Sequence, residues 1–114
     1  MSKRKTLLLL QDILDASEKI LSYTNEMSFK DFIDDDKTIE AVVWNFEIIG
    51  EAANRIPEDF KLSYVEIEWR QMIGFRNRVV HEYFEMDYEN LWKIKEENVP
   101  ELMELIEMLI KDLS

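Results

Sequence analysis

The sequence predicts an all-α fold, an up-and-down bundle of about five helices filling one domain from residue 1 to residue 114. Three observations carry that expectation. The chain holds only two glycines and two prolines, so little in it interrupts a helix. No run alternates apolar and polar residues with the period of a half-buried strand. Apolar residues instead recur three and four positions apart, the spacing that lines one face of a helix.

The first helix is expected over roughly Lys3 to Tyr23. Leu7, Leu10, Ile13, Leu14, Ile20 and Leu21 form its apolar stripe, and Asp12, Asp15, Glu18 and Lys19 lie outside it. Ser28 can cap a short turn through Phe32, and the run "DDDK" then breaks the pattern. The next long helix, roughly Asp36 to Arg55, has a core stripe of Ile39, Val42, Val43, Phe46, Ile49 and Ala53. Trp44 and Ile48 fall on its far side, one turn apart, while Gly50, Ala52 and Ala53 allow close approach of another helix. A helix apolar on two sides is one buried on two sides, either by its own domain or by a partner, and in so small a chain a partner is the expectation. Pro57 ends this helix, and a short acidic connection leads to another over roughly Ile67 to Tyr83. Asp87 is placed to cap a helix carrying Leu91, Trp92 and Ile94. Pro100 suits the first turn of a last helix, with Leu102, Leu105, Ile106 and Leu109 facing inward.

Composition then bounds the chemistry. Without cysteine the chain has no disulfide, thiolate metal site or cysteine nucleophile, which fits a reducing, cytoplasmic setting. A single histidine excludes a multi-histidine metal site within one chain, and no cofactor is expected. "LLLL" at Leu7–Leu10 is far too short to span a bilayer, so no membrane association is expected. The net charge of −11 argues against broad coating of nucleic acid, which draws on clustered lysine and arginine. A local phosphate site remains open to it. From Trp69 to His81 the sequence reads "WRQMIGFRNRVVH", with Arg70, Arg76 and Arg78 and no acid. These arginines suit either a phosphate or carboxylates borne by other helices.

On a helix turning about 100° per residue, Trp69, Met72, Ile73, Val79, Val80 and Tyr83 all fall within about 60° of Arg76. Arg76 thus stands in the middle of an apolar face and needs an anionic partner there. A carboxylate such as Glu47 or Glu51 would make the pair structural; a phosphate cleft at the edge of a protomer interface would make it functional. His81, the only histidine, lies about 140° away, within reach of Asn77 and Arg78. Arg78 beside it favours the neutral imidazole, as a general base requires. Tyr83 is either an interface aromatic or a hydroxyl set to accept a phosphoryl or nucleotidyl group. No Walker loop, zincin helix, nucleophile elbow or paired-carboxylate signature occurs.

"FRNRVVHEYF" resembles the Arg-x4-His-x-Tyr motif of HepT-like proteins, the minimal branch of the HEPN superfamily. "NFEIIGEAANRIP", "EWRQMIGFRNRVVHEYFEMDYENLW" and "VPELMELIEMLI" follow the same family's order and spacing, so the resemblance covers nearly the whole chain. It implies a HEPN-type bundle that dimerises, with motifs from two protomers lining one cleft. Active members are metal-independent RNases and act as the toxin of a type VII toxin–antitoxin pair. By that resemblance Arg76 holds the scissile phosphate and His81 is the general acid/base. Asn77 and Arg78 are helpers on geometry rather than on the motif. The cognate antitoxin is an MntA-like minimal nucleotidyltransferase that transfers AMP to the motif tyrosine, here Tyr83. One residue departs from the pattern: many relatives have glycine between the histidine and the tyrosine, and this chain has Glu82, whose charge opposes an incoming phosphate. The acidic surface and Glu82 also suit a different class of function, a catalytically inactive subunit that binds nucleotide or substrate in complex with a nucleotidyltransferase.

Overall fold

Capping and turn chemistry set the element boundaries of the computed structural model, which describes residues 2–74 and 87–114. Helix α1, Lys3–Tyr23, begins where the Ser2 hydroxyl accepts the Lys5 N–H at 3.2 Å. It ends at Thr24, whose buried hydroxyl donates to the Ile20 carbonyl at 2.8 Å. Glu26 then takes a φ of 63° to reverse the chain. Helix α2, Phe29–Ile33, is a single turn held by a capping box: Ser28 accepts from the Asp31 N–H and Asp31 accepts from the Ser28 N–H. Asp35 caps α3, Asp36–Arg55, accepting from the Thr38 N–H at 3.1 Å and the Thr38 hydroxyl at 2.9 Å.

The short acidic connection expected after Pro57 is itself partly helical. It forms a short helix, α4, Glu58–Ser63, before the chain turns again through residues 64–67. Pro57 pre-sets the entry, Glu58 and Asp59 suit the first-turn dipole, and Phe60 packs on Tyr64 with ring centroids 4.9 Å apart. Six residues are too few for apolar periodicity to register, so this helix rests on end effects and one aromatic contact. A helical segment at 69–74, α5, starts two positions later than Ile67, whose N–H is held in the turn by the Tyr64 carbonyl. Helix α6, Tyr88–Glu97, has the expected Asp87 cap, which accepts from the Asn90 N–H. Asn98 alone separates it from α7, Val99–Leu113, which carries Pro100 in its first turn.

The described residues hold helices and no strand, as the sequence implies. Helix α1 is the centre of the packing, laid against α3 and α7, while α2 and α6 close one side. Leu10, Ile13 and Ile20 on α1 are fully buried, as are Val42, Ile49 and Ala53 on α3 and Ile106 on α7, to within 1%. Each such branched aliphatic contributes about 1.5–3 kcal/mol by leaving water. Polar groups caught in this core are satisfied locally: the Ser17 hydroxyl donates to Ile13 and the Asn45 amide to Ala41, each at 2.8 Å. The second apolar side of α3 is a different matter. Trp44 is 60% exposed and Ile48 only half-buried, so nothing within the described chain covers them fully. Among the described residues, no helix is long and apolar enough to cross a membrane.

Candidate functional site

All the residues singled out in the motif, Arg76, Asn77, Arg78, His81 and Tyr83, lie outside the described residues, as does Glu82. The structure therefore speaks to the ground on either side of them. On the N-terminal side, Trp69 and Met72 are buried in the core, 7% and 8% exposed, while Arg70 and Gln71 between them face solvent. Trp69 and Met72 are the first members of the apolar face on which the sequence places Arg76. The Trp69 indole N–H donates to the Tyr64 carbonyl at 3.1 Å, tying the start of α5 to the preceding turn. Burial and this bond together anchor the start of α5.

On the C-terminal side, Asp87 is the cap of α6, and the next turn inserts Leu91 and Trp92. Trp92 meets Phe32 and Phe29 of α2 at ring-centroid distances of 5.1 Å and 6.0 Å. Lys95 lies over the Trp92 ring, 3.6 Å from its centroid, and its Nζ donates to Glu96 at 3.0 Å. This explains how Lys95, 7% exposed, keeps a buried stem and a paired charge. The "DYENLW" segment is thus an anchor that docks α6 onto α2. Its sequence signal was legible, but its partners on α2 were not.

Two concavities border this framework. The first lies along α1 and α3 and is lined by Leu9, Asp12, Trp44, Glu47, Ile48 and Arg55 among others. Leu8, one turn before Asp12 on the same face of α1, is 58% exposed. Arg55 pairs there with Glu51 at 3.2 Å. The second lies between α3, α5 and the α6–α7 junction. Sequence reasoning missed it because its walls come from distant segments. Among the described residues, no group of three or more histidine, cysteine, aspartate or glutamate side chains is arranged to hold a metal ion.

Comparison with known proteins adds the remaining observation. The family model described as "Ribonuclease HepT-like" matches residues 13–109. The chain is 45% identical over 102 residues to the "Probable ribonuclease HepT" of Thermococcus cleftensis, covering 90% of this chain and 93% of that one. A Methanocaldococcus jannaschii protein provisionally named as an RNase is 39% identical over 113 residues, covering 99% and 93% of the two chains. A second protein of that organism, named in the same way, is 37% identical over 109 residues, covering 96% and 100%. No solved structure matches the chain significantly.

Proposed function

The chain belongs to the HepT-like ribonuclease family, and on that premise we propose that it is a homodimeric, metal-independent endoribonuclease, the toxin of a toxin–antitoxin pair. The observation that carries this reading is the complete Arg76-x4-His81-x-Tyr83 motif within the family match, its Arg76 and His81 lying in the acid-free stretch from Trp69 to His81 that holds three arginines. RNA supplies its own nucleophile, so the residues required are few. Neutral His81 takes the proton of the ribose 2′-hydroxyl, and that oxygen attacks the adjacent phosphorus. Arg76 holds the phosphate and stabilises the charge that develops on its oxygens. The 5′ oxygen leaves with a proton from an imidazolium, giving a 2′,3′-cyclic phosphate and a free 5′-hydroxyl. Two motifs lining one cleft provide one imidazole in each protonation state. Asn77 and Arg78 are placed to orient His81, and the charge of Arg78 favours the neutral form of the base.

The exposed second side of α3 supports the dimer. Trp44 and Leu8 offer apolar anchors, and the rim mixes Asp12 and Glu47 with Arg55, a pattern that a second copy can meet with its own charges. Neutralisation follows from the same site. AMP transferred by a minimal nucleotidyltransferase to the Tyr83 hydroxyl adds bulk and a negative charge that occupies Arg76 and repels RNA phosphate.

A second reading is favoured by Glu82 and the net charge of −11: a subunit without RNase activity that binds nucleotide or substrate beside a nucleotidyltransferase. Expression of the wild type and of His81→Ala in cells separates the two. Growth arrest and RNA cleavage by the wild type alone support the toxin. Two equally harmless proteins that leave RNA intact would overturn it. Co-expression with a minimal nucleotidyltransferase, followed by intact-mass measurement, should add the mass of AMP to the wild type and nothing to Tyr83→Phe.

A further inference from the structure

The cleft between α3, α5 and the α6–α7 junction has a composition unlike that of the proposed RNA site. Its volume is about 160 Å³, and its floor is made by Phe46, Ile49, Met72, Leu102 and Leu105. It exists because α3 and α7 both pack on α1 and make little direct contact with each other, and residues 66–72 only partly bridge the gap. Around the mouth stand Glu66, Glu68 and Glu101, all exposed, with Gln71 and Asn98 as the other polar residues. Among the described residues, none of the three carboxylates makes an ion pair and no cation lines the cleft. Val65, the chain neighbour of Glu66, is 76% exposed and offers further apolar surface beside the acidic mouth.

Size and charge together select an occupant. An engineered cavity of about 150 Å³ accepts benzene, so this one takes a single phenylalanine- or leucine-sized side chain. The three carboxylates at the mouth repel phosphate and so disfavour RNA there. They attract lysine and arginine on either side of an inserted apolar group. We propose that this cleft docks a segment of a partner protein that presents one bulky apolar side chain flanked by basic residues. Such an interface has a buried apolar anchor inside a charged rim, the arrangement in which a small contact area gives specificity. Gln71 and Met72 line the cleft four or five positions before Arg76 in the sequence, so the partner would contact the chain just ahead of the motif. The docking site itself does not depend on the RNase reading.

Titration of the isotopically labelled full chain with acetyl-Lys-Lys-Phe-Leu-Lys-Lys-amide tests this, read from the NMR methyl signals of Ile49, Met72, Leu102 and Leu105. Those signals are expected to shift saturably. Removal of the rim charges by Glu66→Gln, Glu68→Gln and Glu101→Gln together should weaken binding about tenfold, the effect of three exposed charge contacts. These are surface positions, so folding is retained. Leu102→Trp, which fills the cleft and leaves the carboxylates in place, should abolish the shifts. Equal binding to Leu102→Trp would mean general attraction of cations to an acidic protein and would overturn the proposal. Equal binding of acetyl-Ser-Ser-Phe-Leu-Ser-Ser-amide would remove the basic partner, and shifts confined to other methyls would remove the site.

Discussion

Asp35 shows how one side chain couples this fold to pH. The Thr38 backbone N–H and hydroxyl donate to its carboxylate and hold it below the ordinary aspartate range. A group whose folded value is depressed adds stability above its unfolded value of about 3.9, and that contribution disappears as pH falls through the folded value. Asp35→Asn keeps an acceptor at the cap but removes the charge. The wild type should therefore melt above Asp35→Asn at pH 7, and the gap should shrink below about pH 4. Circular-dichroism melts across that range check it; a gap constant with pH would refute the assignment. Caps of this kind were readable in advance: Ser28 and Asp87 sit where the sequence placed them. Burial by partners was not, since nothing local shows that Lys95 lies over Trp92 or that Trp92 meets two phenylalanines of α2.

Among the elements, the long helices were legible because their apolar stripes repeat over many turns, and the short α4 was not because it has no room for a repeat. The start of α5 shows where the local signal fails. Ile67 fits the apolar pattern of the helix but is spent in the turn, and Trp69 begins the helix with a side-chain hydrogen bond to the Tyr64 carbonyl. Trp69→Phe deletes that donor and shrinks a buried ring, and should cost about 2 kcal/mol. Urea titration should show a lower midpoint at an unchanged slope. An unchanged midpoint would mean that the bond does not hold α5 in place. The motif of the candidate site was legible as a pattern of residue types, whereas its geometry falls outside the described residues.

For the whole molecule, the bundle leaves one apolar face with its largest side chain in water. Trp44, 60% exposed, is where we place the centre of the proposed two-fold contact. Trp44→Glu should convert the proposed dimer to a monomer in light scattering at micromolar concentration while leaving helicity unchanged. A variant that stays dimeric would place the interface elsewhere. The same face could be anticipated from the two-sided apolar pattern of α3, because it needs only one helix to be seen. The acidic cleft could not, because it is assembled from α3, α5 and α7. Catalysis by the dimer is the central claim, and cleavage of a labelled RNA by the purified protein in EDTA tests it most directly. Wild type should yield fragments ending in 2′,3′-cyclic phosphate, and Arg76→Ala and His81→Ala should each lower the rate by at least about a hundredfold. Intact RNA with wild type free of AMP, or cleavage that survives both substitutions, would contradict it.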